Sequence, residues 1–250
     1  MILLCDIGNT HTHVGLGSRE GILRKRDMPT EWFAGTAGKT ALKKFIGRCR
    51  IEGSAFCSVV PSITPLMQRV IQDLTGLRPL ELSARTVRGV GIDYPRPKTI
   101  GTDRLANAVA ARALHGAPVV VVDFGTAVTF DVVNRLGNYV GGIIAPGLAA
   151  MTDYLHEKTA LLPRIVIREP TRVVGRSTKE AMLAGAVHGY RGLVRELIES
   201  LKNELGEDSL PVVATGGYAN LMAARLPQIQ RVDQNLTLQG VRLTWLAHNH

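Results

Sequence analysis

A carboxylate followed by a glycine turn opens the chain and has the composition of a phosphate-binding hairpin. Asp6 closes the apolar run that starts at Ile2, and Gly8, Asn9 and Thr10 come directly afterwards. Such a run, bounded by a glycine turn, predicts a buried strand that leads into a tight hairpin. Gly8 lets the backbone approach a ligand closely, and the next two side chains offer hydrogen bonds. A carboxylate beside phosphates calls for a divalent cation such as magnesium, which takes both as ligands.

The same pattern occurs a second time, which predicts an internal duplication. An apolar run ends in Asp123, and Gly125 follows it at the spacing that separates Gly8 from Asp6. Each of these hairpins continues into a further candidate strand. A repeated unit of this kind indicates that each copy forms one half of the molecule. The predicted halves are residues 1–116 and 117–250.

Two adjacent charges stand at the start of a predicted helix, and only one of them suits that position. Asp103 and Arg104 precede an alanine-rich helix expected over residues 105–114. An acid complements the positive end of the helix dipole, so Asp103 has a purely structural explanation as well as a catalytic one. Arg104 is disfavoured there, and its guanidinium is suited to holding a substrate carboxylate with two hydrogen bonds.

Two segments in the second half combine a glycine turn or a hydroxyl with the start of a helix. Gly216 and Gly217 follow a predicted strand, and they would let a flat ring such as adenine lie against the backbone or simply serve as the entry to a helix. Thr178 precedes a long helix expected over residues 179–205, where it could be a helix cap or a ligand contact. A last helix is expected over residues 236–248.

Composition narrows the class of protein. The chain has 250 residues, of which 45% are hydrophobic and 20% charged, as in an ordinary globular protein of one large or two smaller domains. Its apolar runs are too short for a membrane span. The net charge of +9 suits nucleic acid or small anions, but 5% aromatic residues supply few stacking platforms for bases. We therefore expect no nucleic-acid or membrane partner. Three cysteines without paired spacing suggest reduced thiols and a cytoplasmic location.

Taken together, these segments resemble those of the type III pantothenate kinases, which belong to the actin-like, sugar-kinase and Hsp70 superfamily of ATP-binding proteins. The matching segments occur in the family's order and are spread over nearly the whole chain. They are Asp6–Thr10, Gly101–Arg104, Asp123–Thr126, Gly142–Gly147, Gly175–Thr178, Thr215–Gly217 and Leu236–Gly240.

The resemblance implies an α/β fold of duplicated ribonuclease-H-like (actin-like ATPase) domains, with mixed sheets flanked by helices and ATP between the halves. It also implies a homodimer that transfers the γ-phosphoryl group of ATP to the primary hydroxyl of pantothenate. The product, 4'-phosphopantothenate, is the first intermediate of coenzyme A biosynthesis. The implied cofactors are Mg²⁺ with ATP and a monovalent cation, K⁺ or NH₄⁺.

Individual roles follow from the same resemblance. The general base corresponds to Asp103, the ligand of the monovalent cation to Asp123, and a residue near magnesium to Asp6. Related loops often have a basic residue where this chain has His13, so the role of that side chain stays open. The implied contacts to ATP are Asp6, Ile7, Gly8, Asn9, Thr10, His11, Thr12, His13, Thr126, Gly216 and Gly217. The implied contacts to pantothenate are Tyr94, Gly101, Thr102, Asp103, Arg104 and Thr178.

Two other functions remain open from the sequence. One is an ATP-binding regulator with weak catalysis, since members of this family have also been described as accessory factors for gene expression. The other is a kinase of another small alcohol or of a sugar acid. The presence of Asp6, Asp103, Arg104 and Asp123 together favours catalysis, because a pure binding protein does not need that set. Arg104 itself would bind either the pantothenate carboxylate or the transferring phosphoryl group.

Overall fold

The computed structural model describes residues 1–249, which form two compact units. The first unit contains residues 1–117, 135–141 and 235–249, and the second contains Pro118–Asn134 and Gly142–Gln234. The predicted halves were continuous in sequence, whereas the first unit also contains two segments of the predicted second half, residues 135–141 and 235–249. None of the described helices is both long and apolar enough to cross a membrane.

Strands and helices alternate along the chain as in an α/β protein. The strands are β1 (Ile2–Ile7), β2 (His11–Gly17), β3 (Ile22–Pro29), β4 (Gly53–Ser58), β5 (Leu80–Glu81), β6 (Gly91–Ile92), β7 (Val119–Phe124), β8 (Ala127–Val133), β9 (Asn138–Pro146), β10 (Val212–Thr215) and β11 (Arg231–Val232). The helices are α1 (Thr36–Ile46), α2 (Thr64–Thr75), α3 (Thr102–His115), α4 (Leu148–Lys158), α5 (Thr178–Leu205), α6 (Ala219–Ala223) and α7 (Leu236–His248).

The two units repeat one sheet topology, which confirms the predicted duplicated α/β fold. In the first unit the strand order is β3-β2-β1-β4-β5, where β1 is antiparallel to β2 and parallel to β4. The strands that run through the second unit follow the order β9-β8-β7-β10-β11, where β7 is antiparallel to β8 and parallel to β10. Both central strands are buried apolar runs, as expected for strands that are covered on both faces.

The last helix belongs to the first unit because a glycine allows it to pack closely there. A β-carbon at Gly240 of α7 would overlap the backbone carbonyl of Ala106 in α3. The buried face of α3 is built largely of alanines, so the two helix backbones approach each other with small side chains between them. This packing fixes α3, whose first residues carry the predicted catalytic carboxylate.

Candidate active site

The predicted phosphate-binding hairpin is the tight turn between β1 and β2. The backbone N–H of Gly8 donates to the carbonyl oxygen of His11 at 3.0 Å, and a β-carbon at Gly8 would lie only 2.9 Å from that oxygen. Thr30, the residue directly after β3, holds the turn, because its hydroxyl donates to the Gly8 carbonyl at 2.7 Å and its N–H donates to the Thr10 carbonyl at 3.1 Å. The turn is therefore fixed by hydrogen bonds from the chain itself.

The side chains of this loop divide into a buried set and an exposed set. Ile7 and Thr12 are fully buried, and the Thr12 hydroxyl lies 2.9 Å from the hydroxyl of Thr30. These two residues support the loop from inside the fold. His13 Nδ1 lies 2.7 Å from a carboxylate oxygen of Asp27 on the neighbouring strand. The exposed side chains of the loop are Asn9, Thr10 and His11.

Two of the predicted carboxylates lie at the same end of the first sheet and share a neighbour. The register places Asp6 of β1 beside Cys57 of β4, and the Cys57 thiol donates to Asp6 Oδ1 at 3.3 Å. Burial raises the pKa of the Cys57 thiol well above its ordinary value, and the charges of Asp6 and then Asp103 raise it further. The thiol consequently stays protonated and acts as a hydrogen-bond donor next to both acids.

The start of α3 is tied to the end of β4 by a reciprocal pair of hydrogen bonds. Thr102 Oγ1 accepts from the backbone N–H of Ser58 at 2.9 Å and donates to the carbonyl of the same residue at 2.9 Å. This clamp fixes the first turn of α3, where Asp103 follows immediately. Gly101 is needed beside it, because a β-carbon there would lie 2.5 Å from Asp103 Oδ1.

The carboxyl group of Asp103 is more basic than an ordinary aspartate. Burial raises its pKa, although the backbone N–H of Arg104, which donates to Asp103 Oδ1 at 2.8 Å, and the Arg104 charge both act in the opposite direction. A carboxylate that is partly desolvated and still held by a directed hydrogen bond has a fixed orientation and a higher proton affinity. Both properties suit a general base.

Arg104 lies against an aromatic pair that the sequence did not indicate. Its guanidinium carbon is 5.8 Å from the centre of the buried Tyr139 ring. Tyr94 packs against the same ring with 6.1 Å between ring centres and a 60° interplanar angle, and the backbone N–H of Asp93 donates to the Tyr139 carbonyl at 2.9 Å. Tyr139 thus brings together two of the residues assigned to pantothenate, Tyr94 and Arg104.

In the second unit, Asp123 lies in a space that glycine keeps open. The register pairs Asp123 of β7 with Thr215 at the end of β10, and Gly216 follows with φ +90°, a conformation that favours glycine. A β-carbon at Gly216 would lie 2.5 Å from Asp123 Oδ1 and 2.7 Å from the backbone of Phe124. Gly217 is exposed and has open space around it, and α6 begins two residues later.

The remaining predicted residues of the second unit lie at exposed turns. Thr126 is exposed in the β7–β8 turn, and its carbonyl accepts from the N–H of Gly147 at 3.2 Å. Thr178 is exposed as the first residue of α5. The helix cap is Ser177, whose hydroxyl accepts from the N–H of Glu180 at 3.2 Å, so the interpretation of Thr178 as a cap is wrong.

Asp6 and Asp123 each offer a single carboxylate to one of the two implied cations. The described residues contain no group of three or more His, Cys, Asp or Glu side chains that could hold a metal ion. Magnesium commonly keeps several waters and binds one or two carboxylates plus substrate phosphates, so Asp6 fits as a ligand that acts together with ATP. At Asp123 the donor is a single carboxylate beside Gly216, where a β-carbon would lie 2.5 Å from Oδ1, and a donor of one negative charge is compatible with a monovalent cation.

Three residues that support the predicted site were missed in the sequence. Cys57 reads as one apolar residue within a strand, Thr30 lies in a polar segment, and Tyr139 begins a strand in the other predicted half. Cys57 and Tyr139 become visible only through pairing between strands distant in sequence, β1 with β4 and β6 with β9, and Thr30 only through the pairing of β2 with β3, which brings the end of β3 beside the turn. No local signal in the sequence could have identified them.

Known proteins resemble this chain over its whole length. A model of the type III pantothenate kinase family matches residues 2–200. A type III pantothenate kinase from Akkermansia muciniphila is 49% identical over 243 residues, covering 96% of each chain. Among solved structures, a conserved Baf family transcriptional activator from Campylobacter jejuni, described as putative, has a TM-score of 0.64 at 18% identity, covering 99% of this chain and 98% of its own.

A sugar kinase gives the same result for the fold. An inorganic polyphosphate/ATP-glucomannokinase from Arthrobacter has a TM-score of 0.53 at 13% identity and covers 100% of this chain and 99% of its own. At these identities the solved structures establish the actin-like fold only. The family model and the 49% identical relative establish more: the chain belongs to the type III pantothenate kinases.

Proposed function

We propose that this protein transfers the γ-phosphoryl group of ATP to the primary hydroxyl of pantothenate, giving 4'-phosphopantothenate for coenzyme A biosynthesis. The observation that carries the proposal is the arrangement at the end of the first sheet. There Thr30 fixes the phosphate-type turn, Cys57 of β4 donates to Asp6, and Ser58 of β4 holds Thr102, which directly precedes the partly desolvated Asp103. Phosphoryl transfer needs mainly alignment and charge neutralisation, which such an arrangement can supply.

Asp103 serves as the general base in this proposal. The transition state of phosphoryl transfer is loose, so the base takes the hydroxyl proton late and chiefly orients the attacking oxygen. The N–H of Arg104 and the clamp between Thr102 and Ser58 hold the carboxylate in one direction. Burial raises the pKa of Asp103 toward the working pH, and a general base is more effective when its pKa is nearer to that pH.

The two carboxylates outside the base role are assigned to cations. Asp6 would hold Mg²⁺ together with the phosphates of ATP, and Asp123 would hold K⁺ or NH₄⁺. Cations at these positions supply positive charge that offsets the repulsion between carboxylates and phosphates. The remaining contacts proposed for ATP are the loop 7–13, Thr126 and the glycine pair 216–217, of which Asn9, Thr10, His11, Thr126 and Gly217 are exposed.

Pantothenate is assigned to the residues around the start of α3. Tyr94 is partly exposed and packs on Tyr139, and Arg104 lies over the same ring, so a carboxylate bound by Arg104 would lie beside an aromatic surface. The hydroxyl of Thr102 is hydrogen-bonded to the backbone of Ser58, so we assign Thr102 to the pantothenate site as a residue that positions its neighbours. Gly101 and Thr178 complete the assigned set.

A homodimer is part of the proposal, and exposed apolar side chains in the second unit support it. Large apolar side chains are exposed on α4 and on the irregular segment that follows it. Contiguous exposed apolar residues mark interaction sites in many proteins. The exposed apolar residues of α4 and of the segment after it are Met151, Tyr154, Leu155, Leu161, Val166, Val173 and Val174. Light scattering should give twice the chain mass for the wild type, and Tyr154→Lys should shift it toward the monomer.

The cytoplasm is the location that we expect. All three cysteines are free thiols, two of them buried, and thiols persist in reducing compartments.

The decisive assay is ADP release from ATP and Mg²⁺, with and without pantothenate, in potassium and then in sodium. We expect release that depends on pantothenate and is stimulated by potassium. Asp103→Asn should abolish turnover while leaving ATP binding largely intact. Release that is independent of pantothenate, or no release from a folded protein, would favour another alcohol substrate or the regulatory function.

A further inference from the structure

A pocket in the second unit has a strongly basic lining and no part in the proposed reaction. Its volume is about 350 Å³, and it is formed by the irregular segment 169–173, the middle of α5 and Arg225, which lies just after α6. This volume is within the range of small-molecule sites, roughly 300–1,000 Å³. The basic residues that line it are Arg172, His188, Arg191, Arg195 and Arg225.

One arginine of this pocket is buried and builds its wall. The Arg191 side chain is 4% exposed and binds the two carboxylate oxygens of Glu169 with two parallel hydrogen bonds of 3.0 and 2.6 Å. The same guanidinium donates to the carbonyl of Leu221 at 2.6 Å. Arg191 therefore ties the irregular segment to α5 and to α6, which gives the pocket a fixed shape.

The charges that line the pocket do not balance. Glu169 is the single carboxylate among the described residues of its lining, and its partner is Arg191. The hydrogen bonds from Arg191 lower the pKa of Glu169, and the charge of Arg225 contributes to the same shift. Glu169 is thus already ionised and paired, while Arg172, Arg195 and Arg225 add three positive charges around one small volume.

We propose that this pocket binds a small molecule that carries a phosphate or pyrophosphate group. A phosphate group carries close to two negative charges at neutral pH and three strong acceptor oxygens, so it can engage several guanidinium groups at once. A monocarboxylate would engage one planar fork and leave the remaining positive charges uncompensated. The pocket volume exceeds that of a bare phosphate ion, which leaves room for an organic body or a second phosphate.

Isothermal titration calorimetry with inorganic pyrophosphate tests this proposal. The titration uses the full-length protein in low salt with EDTA, so that magnesium cannot support phosphate binding at the proposed ATP loop. We expect the Arg195→Gln/Arg225→Gln double variant to bind pyrophosphate about tenfold more weakly than the wild type, or worse, which corresponds to ~1.4 kcal/mol or more. Acetate, a monoanion, should give no comparable heat.

A matched control separates a site from a general effect of charge. Arg48 and Arg69 are exposed in the first unit and lie outside the pocket, so Arg48→Gln/Arg69→Gln removes the same charge elsewhere. This control should bind pyrophosphate like the wild type. Arg172→Gln, on the irregular segment, provides a second pocket variant if the first double variant has a lowered unfolding temperature.

Three results would overturn the proposal. They are no pyrophosphate binding by the wild type, equal losses in both double variants, and unchanged binding in the pocket variants. The third result would place pyrophosphate at another site, such as the proposed ATP loop. A DNA duplex that binds more tightly than pyrophosphate and is lost in the pocket variants would instead assign these arginines to a nucleic-acid backbone.

Discussion

Gly101→Ala tests the orientation of Asp103 without changing any charged group. Gly101 has φ −56°, which alanine adopts readily, so the substitution introduces no backbone strain. The new β-carbon would lie 2.5 Å from Asp103 Oδ1, whereas ordinary van der Waals contact begins at 3.4 Å. The carboxylate must therefore move by about 0.9 Å or rotate away from the backbone N–H of Arg104.

A displacement of this size has a large expected effect on catalysis. Misplacing a reacting group by about 1 Å can lower a rate by ~10², equivalent to ~2.7 kcal/mol of transition-state stabilisation. We expect kcat for pantothenate phosphorylation to fall by about that factor, with a smaller change in KM for ATP. Coupled measurement of ADP release at saturating substrates gives kcat, and thermal unfolding reports whether the fold is retained.

Gly35→Ala provides the matched control. Gly35 also stands at the N-cap of a helix without a side-chain cap, but a β-carbon there meets nothing within 4 Å. Its kcat should equal that of the wild type. If Gly101→Ala keeps kcat within about threefold of the wild type while remaining folded, the close contact with Asp103 does not control catalysis, and the assignment of this carboxylate as the base loses its geometric support.

Four further predictions use other contacts of the structure. Asp123→Ala should weaken ATP use and remove the potassium response of ADP release; an unchanged response would put the cation elsewhere. Cys57→Ala should lower kcat about fivefold through loss of the ~1 kcal/mol hydrogen bond to Asp6, and Cys57→Ser should restore it; equal losses in both would indicate packing alone. Gly240→Ala should destabilise the fold by about 1–3 kcal/mol in denaturant unfolding, because its β-carbon overlaps the backbone of α3. The Asp103→Asn variant should have a higher thermal unfolding midpoint than the wild type at pH 7, and this difference should shrink as the pH is lowered. The raised pKa of Asp103 means that the wild type gains stability as this group is protonated and loses it as the pH rises through the folded-state pKa; a midpoint gap independent of pH would refute the desolvation argument.

The duplicated topology was predictable because its signal is local and occurs twice. An apolar run, a carboxylate and a glycine turn together specify a buried strand and a hairpin, and both appear as β1–β2 and β7–β8. The hairpin registers differ by one residue, because Asp6 lies opposite His13, seven positions later, whereas Asp123 lies opposite Thr129, six positions later. The last helix was also predicted within the correct bounds, but its assignment to the first unit was not. That assignment depends on close packing at Gly240, which periodicity does not report.

The supporting residues of the site were not predictable because they act across the sheet. Cys57 and Asp6 are far apart in sequence, and only the parallel pairing of β1 with β4 makes them neighbours. The same holds for Tyr139 and Arg104, which the short β6–β9 ladder helps to bring together. The cap of α5 was a different kind of error. Ser177 and Thr178 are both good cap residues, and the choice depends on which one leaves the helical conformation, as Ser177 does with φ −144°.

The end of β4 supports both acids that lie at this end of the first sheet. Its last two residues serve two separate purposes: the thiol of Cys57 donates to Asp6, and the backbone of Ser58 holds Thr102 at the start of α3. Asp6 thereby gains a donor, while Asp103 gains the N–H of Arg104. The N–H and the charge of Arg104 stabilise the ionised form of Asp103, but they only partly offset the desolvation of this carboxylate, as its raised pKa indicates. The remaining instability is the physical reason to expect positive charge from a cation or from Arg104 when an anionic substrate binds, since each added phosphate would otherwise increase the repulsion.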